Sequence, residues 1–465
     1  YSLPKFYAST HRLCTLNETF AMNRAITFLL LSIPAFSFGL SGCGSETPEA
    51  GPAVSPATTT VVANEAASKE IKPAAKPKIK KGPAALPLNG EPVLLLSEDE
   101  IRDGWIQLFD GQTFAGWTPN NDVDWHITDD GLIEASQGDP GLLLTNVPFA
   151  DFELRCDYWV AKDGNSGIFL RCVPNPTNPT KDCYEFNIFD SRDKFGTGSL
   201  VGRTEPTAKS LGEEKWRTAV IKVEGNHFTA SLDGAPVLDF KDESKNLLTS
   251  GLIGLQKNAG LVKFRNVFVK PLGTKSIFNT KDLAGWHSVA GSKSEFTVTD
   301  EAISVSNGPG FLESDEAWSD FALQFEAKTN GDGLNSGVFF RLIPGTKEAP
   351  SHGYELQIEN VFANNDRTQP KDNAGTGAIF RRTKSRWVVP NDHEWFNMTL
   401  IAHGPRIAAW VNGFQVTDWK DTRPGDPNPR RGSKVEAGPI SLQGHDPTTD
   451  LSFRNLRIAA YPAAE

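Results

Sequence analysis

The chain repeats itself at domain scale. Phe109-Asp110-Gly111-Gln112-Thr113-Phe114-Ala115-Gly116-Trp117 returns as Phe278-Asn279-Thr280-Lys281-Asp282-Leu283-Ala284-Gly285-Trp286. Asn165-Ser166-Gly167-Ile168-Phe169-Leu170-Arg171 returns as Asn335-Ser336-Gly337-Val338-Phe339-Phe340-Arg341, and Tyr184-Glu185-Phe186-Asn187-Ile188 as Tyr354-Glu355-Leu356-Gln357-Ile358. Leu255-Gln256 and Phe264-Arg265-Asn266 match Leu442-Gln443 and Phe453-Arg454-Asn455. The separation between matches grows along the copy, so the second carries insertions. A period this long duplicates a whole domain, whereas solenoid units recur every few tens of residues.

Each copy is built from short alternating stretches joined by Gly, Asn and Asp turns. Phe152–Tyr158 and Phe321–Ala327 alternate with period two, as half-buried strands do. Asp233-Gly234 and Asn412-Gly413 sit between apolar runs as hairpin turns that need positive φ. Ser97-Glu98-Asp99-Glu100 has capping-box form and starts a short helix ahead of the first copy. Eleven Trp and 29 Phe against two Met suit a β-rich chain with aromatic-lined sites. The expected class is all-β, an antiparallel sandwich or jelly roll in each copy.

The N-terminal part reads differently. Residues 1–21 precede a plausible start at Met22 and look like a gene-model extension. Residues 22–43 have the form of an export signal: a positive charge at Arg24, an apolar run from Ile26 to Leu40, and Leu40-Ser41-Gly42-Cys43, which resembles the bacterial lipobox. Cys43 is then the lipidation site, and the protein is expected to be exported and held on a membrane by its lipid. The alternative, a spanning helix, is disfavoured because the run is short and holds Pro34. Residues 44–96 are rich in Ala, Pro and Lys and cannot bury enough apolar surface to fold, which makes them a tether. The two copies then occupy 97–272 and 273–465. A net charge of −10 without a basic stripe argues against nucleic acid as a partner.

Cys156, Cys172 and Cys183 all lie in the first copy. Export permits a disulfide, and Cys172 with Cys183, flanking a Pro-rich loop, are the best pair. No His or Cys pair at ligand spacing suggests zinc.

The motifs, in this order and twice over, resemble the DUF1080 or 3-keto-disaccharide hydrolase domain family, over 103–272 and 273–461. The resemblance implies two tandem concanavalin A-like jelly rolls, an oligosaccharide or glycoside as ligand on the concave face, and cleavage of glycosides oxidised at C3. No cofactor is predicted, although a divalent cation could polarise the ketone.

Alternation places Glu355, Gln357 and Glu359 on one face of a strand whose other face is apolar, and Glu185 and Asn187 on the matching face, with Asp190 at the strand end. Only Glu185 and Glu355 are carboxylates at matched positions. Glu355 and Glu359 stand roughly 13 Å apart along an extended strand. An ordinary glycosidase pair needs about 5 to 9.5 Å. A 3-keto sugar offers another route, because the ketone acidifies the hydrogen at C2, and a base can remove it and expel the C1 substituent; water adds afterwards. That needs a base of near-neutral pKa and a donor for the enolate oxygen. Glu355, Glu185 and His445 are the candidate catalytic groups. Arg341, Gln357, Glu359, Gln443, Arg171, Asn187 and Asp190 are candidates to hold the sugar, with pairing to a neighbouring strand's Glu an equal alternative for Arg171 and Arg341. The Asn-Ser-Gly triplet reads first as a turn, and Trp117 and Trp286 as core. A tandem lectin without catalysis remains the competing reading.

Overall fold

The computed structural model describes residues 93–462 apart from Ser210, so the signal segment, Cys43 and most of the tether lie outside the described residues. Each copy is a two-layer antiparallel sandwich of one eight-stranded and one five-stranded sheet. The strands run from Ile106–Gln107 to Val262–Pro271 in the first copy and from Lys275–Ser276 to Asp450–Ala460 in the second. The five-stranded sheet of the second copy orders its strands Trp286–Ser288, Gly310–Trp318, Gly438–Gly444, Asn335–Phe340 and Tyr354–Glu359. The sheet of the first copy repeats that order, ending on Asn165–Cys172 and Tyr184–Ile188. No described helix is long and apolar enough to cross a membrane.

Local chemistry accounts for the elements. Asp233 and Gly234 (φ 50° and 80°) and Asn412 and Gly413 (φ 47° and 77°) both take the left-handed pairs that two-residue hairpins require. Ser97 caps the helix Glu98–Asp103: its backbone N–H donates to Glu100 Oε2 at 2.9 Å, and the Glu100 N–H donates to Ser97 Oγ at 3.3 Å. Trp117 and Trp286 are core residues, their indole N–H groups donating to Leu108 O at 2.5 Å and Ile277 O at 2.7 Å.

The two large-sheet strands that look alike in sequence differ in surroundings. Phe152–Val160 alternates buried and half-buried side chains, as its pattern predicts. Phe321–Thr329 is buried on nearly every residue. The outer face of the second large sheet, with Ala322, Ile401, Ala408, Trp410 and Ala459, packs into the apolar cluster of the first sandwich. Trp410 Nε1 donates to Gln107 O at 3.0 Å, Gln324 Nε2 to Gly104 O at 2.9 Å, and Arg386 pairs with Asp110 at 2.7 Å. The polar positions of the alternation are thus met by partners rather than by water.

Arg171 and Arg341 close the Asn-Ser-Gly strands with φ 49°. Both are almost completely buried. Arg341 donates to the carbonyls of Ser319, Gly404 and Lys434 at 2.6 to 3.1 Å and to Asp320 Oδ1 at 2.7 Å. Arg171 donates to the carbonyls of Ala150, Gly225 and Leu248 and to Asp151 Oδ1, all at 2.7 to 2.8 Å. Neither is available to a sugar, which corrects their expected role: they fasten a strand end to surrounding loops. Arg341→Met should cost about 3–5 kcal/mol, because it removes the guanidinium from a buried ion pair and leaves three loop carbonyls short of a donor. Urea unfolding checks this, and an unchanged midpoint would show that the guanidinium is dispensable.

Candidate functional site

The site grows from the strand pair Asn335–Phe340 and Tyr354–Glu359, in which Gly337 faces Gln357 and Phe339 faces Glu355. The Asn-Ser-Gly triplet opens a strand and is not a turn. Asn335 and Gly337 lie on the site face, and Ser336 lies on the core face beside Ile358. Asn335 Oδ1 accepts from Gln357 Nε2 at 3.1 Å. Ser336 Oγ donates to Gln443 O at 2.7 Å, which ties in the next strand. At Gly337 an added Cβ would meet Glu355 Cγ at 2.9 Å and Oε1 at 3.0 Å, so the glycine leaves room for the carboxyl group. Gly167 does the same for Glu185, with contacts of 3.3 Å, and Ser166 Oγ donates to Gln256 O at 2.6 Å. The glycine is required by a neighbouring side chain rather than by its own φ.

The ledge of Glu355, Gln357 and Glu359 shares one face, as the alternation predicts, but that face is roofed. All three residues are buried, Glu355 to 7 % exposure and Gln357 to 1 %. Desolvation pushes the Glu355 carboxyl up to about 7, against the pull of Arg430, His445 and Arg381. Burial raises Glu359 as well, opposed by Lys371, whose Nζ lies 3.5 Å from its carboxylate. Gln357 Oε1, Gln443 Oε1 and Ser441 Oγ are buried without a hydrogen-bond partner among the described residues. They are acceptors of the kind sugar hydroxyls satisfy. Beside Glu355 a cavity of about 190 Å³ is lined by Tyr354, Phe380, Arg381, Arg382, Pro429 and Arg430.

His445 stands at the rim, half exposed, with Nδ1 2.9 Å from Asp446 Oδ2. Its charge acts on both Glu355 and Glu359. One buried carboxylate escaped the sequence reading. Glu313, at the Leu144 position of the first copy, shares a row across the sheet with Ser441, Phe339 and Glu355. It accepts from Gly345 N–H at 3.0 Å. Three strand spacings put its backbone roughly 14 Å from that of Glu355, too far for a glycosidase pair. The alternation of Gly310–Trp318 was the signal for it.

The first sandwich keeps part of this arrangement. Burial pushes Glu185 up to about 7, opposed by Arg192 and a hydrogen bond from Gln256. Asn165 Oδ1, Asn187 Oδ1 and Gln256 Oε1 lack partners. Phe189 replaces Glu359, and no His stands at the rim position, where the sequence has Asn258. Asp190 is no ligand group: it accepts from Thr197 Oγ1 at 2.6 Å and from the N–H groups of Gly212 and Glu213, pinning a loop. Cys172 and Cys183 are neighbours in a small apolar cluster, as expected, but both are free thiols, so the expected bridge is absent. Cys156 is buried in the core. Among the described residues no group of three or more His, Cys, Asp or Glu is placed to hold a metal ion.

The chain is similar to several known proteins. A 3-keto-disaccharide hydrolase of Bacteroides thetaiotaomicron is 42% identical over 147 residues, covering 28% of this chain and 44% of that protein. The chain thus spans less than half the length of this relative. A proposed glycosyl hydrolase of Parabacteroides distasonis (22% identity, 38% of this chain and 98% of that one, TM-score 0.35) has a related structure. So does the carbohydrate-binding module CBM66 of Bacillus subtilis (22% identity, 33% and 95%, TM-score 0.28). Residues 104–270 and again 273–459 match the 3-keto-alpha-glucoside-1,2-lyase-like domain, and the chain therefore belongs to that family as a tandem pair.

Proposed function

We propose that the second sandwich cleaves 3-keto-glycosides by elimination followed by hydration. The observation that carries this reading is Glu355: a carboxyl group laid over Gly337, raised to about 7 by burial and bordering a cavity. A base of that pKa is half ionised at neutral pH and strong enough to take a proton that a neighbouring ketone has acidified. The Glu355 carboxylate removes the C2 proton, and the electron pair moves onto the C3 oxygen as an enolate. Gln443, through its side-chain NH2, offers that oxygen a donor. Collapse of the enolate breaks the C1–O bond and leaves a C1=C2 enone. The departing alkoxide takes a proton from His445 or from the newly protonated Glu355. Water then adds across the enone, with OH at C1 and H at C2, completing a net hydrolysis. Gln357 and Gln443 accept from sugar hydroxyls through oxygens that lack partners.

The first sandwich serves on this reading as a glycan-binding partner. It keeps Glu185, Gln256 and Asn187 but has neither a rim histidine nor a second ledge carboxylate. Both domains would act outside the cytoplasm on a lipid anchor at Cys43.

The deciding measurement offers the full chain 3-keto-trehalose or 3-keto-lactose beside each parent disaccharide and follows released 3-keto-glucose. Release from the oxidised sugars alone supports the reading. Binding without release would leave a tandem lectin. Glu355→Gln should lower turnover at least 10²-fold while folding well. The wild-type carboxyl holds its proton more tightly when folded than its ordinary value of 4.5, so its stability falls as pH rises from about 4.5 to about 7. The amide carries no such cost. The variant should therefore be the more stable protein at pH 8, by roughly 2–3 kcal/mol, and about equal near pH 4.5. Turnover that survives the change would remove Glu355 from the chemistry.

The pH profile gives a separate check. kcat/KM should climb with pH through about 7 and level off as Glu355 ionises. Protonated His445 favours that ionisation, so His445→Ala should move the rising limb to higher pH. A flat profile between about pH 5.5 and 8.5 would exclude a base of this kind.

A further inference from the structure

The cavity beside Glu355 is electropositive in a chain of net charge −10, and the first copy shows how that came about. The two copies align there through matching contacts. Val201 N–H donates to Glu185 O, and Phe380 N–H donates to Glu355 O. Tyr184 Oη donates to Asp242, and Tyr354 Oη donates to Asp421. Gly202 and Arg203 therefore correspond to Arg381 and Arg382, and Ser244 corresponds to Arg423.

In the first copy Arg203 is neutralised by Asp242 at 3.0 Å. In the second copy the equivalent Asp421 is taken by Arg423, with contacts of 2.7 and 2.9 Å. Arg382 is left to donate only to carbonyl oxygens, those of Arg381, Pro429 and Arg430. Arg430, from a loop longer than its first-copy counterpart, donates to Ser351 and has no ion pair among the described residues. Arg381 has neither hydrogen bond nor ion pair from its guanidinium there and lies 5.2 Å from the Phe380 ring.

The backbone adds an independent sign. Arg381 sits at φ 59°, a left-handed conformation costly for a side chain of this size, where the first copy has glycine at φ 74°. An exposed arginine held in a glycine conformation, beside two more arginines that form no ion pair among the described residues, adds backbone strain and like-charge repulsion, against which stand its contact with the Phe380 ring and its pull on the Glu355 carboxyl.

We propose that this cavity binds an anionic group of the substrate, so that the preferred glycoside carries a carboxylate, sulfate or phosphate. Guanidinium forks match the planar or tetrahedral oxygens of such groups. Glu355 borders the same cavity, and burial, by raising its pKa, makes it oppose an anion less than an ordinary carboxylate would. The proposal rests on the second sandwich being the sugar site, but its test does not need turnover.

Titration calorimetry on the full chain would compare methyl β-glucoside with methyl β-glucuronide, glucose 6-sulfate and glucose 6-phosphate. At least one anionic sugar should bind about tenfold tighter than the neutral one, with the preference shrinking as salt rises. The order among the three anions identifies the group. Arg381→Gly, which restores the residue that the backbone favours and so should fold, and Arg382→Ala should each bring the anionic sugars most of the way down to the neutral level. Equal binding of all four sugars, or a preference that survives both substitutions, would overturn the proposal. Cleavage of neutral 3-keto-glycosides without charge preference would retain the enzyme and discard the anion site. Anion-selective binding in a protein that cleaves none of them would do the reverse.

Discussion

The buried guanidinium at the end of the site strand is the constraint from which much of each sandwich follows. Arg341 and Arg171 collect carbonyls from three separate loops and one aspartate each. A charge so placed can stay charged only if every donor direction is filled, so the loops have little freedom to move. The positive φ at each arginine turns the chain out of the strand where those loops converge. The strand just before it, carrying Gly337 or Gly167, is held rigid, and the carboxyl of the next strand lies across that glycine. Fold and site thus share one motif, with arginine serving the first and glycine the second.

The paired glutamates show what burial does in the absence of a strong partner. In both copies desolvation outweighs the nearby cations, and the carboxyl settles near neutrality. The sandwich itself therefore supplies a group poised to exchange a proton. What differs between the copies is the surroundings of that carboxyl. The second adds His445, Glu359, Glu313 and three arginines without an ion pair among the described residues, where the first has Asn258, Phe189, Leu144 and a neutralised Arg203. These differences fall both in loops, at His445 and the arginines, and on buried strand positions, at Glu313 and Glu359.

Much of this was legible before any coordinates. The duplication, the period-two alternation and the Asp-Gly and Asn-Gly turns specify strands and hairpins through local rules, and Glu355 was placed on the right face by alternation alone. Other features depend on what lies opposite in space. Phe321–Ala327 has the pattern of a half-exposed strand, yet the other sandwich covers its polar side. Arg341 has the chemistry of a ligand residue, and only the convergence of Ser319, Gly404 and Lys434 shows it to be an anchor. The glycine of Asn-Ser-Gly looked like a turn because its true demand comes from a side chain on the neighbouring strand. Asp190 and the two unbridged cysteines are similar: sequence brings the groups near, and three-dimensional partners decide their role.

The small residues on the outer face of the second large sheet decide whether the chain can be divided. Ala322, Ala408 and Ala459 let the first sandwich approach closely, and Trp410 reaches across to it. Removed from its neighbour, that sheet would present a broad apolar face and a stranded indole to water. The second sandwich is therefore not a separable module: cut free of the first, it would have an exterior that invites self-association, and a shortened chain would need polar residues on that face to stay dispersed.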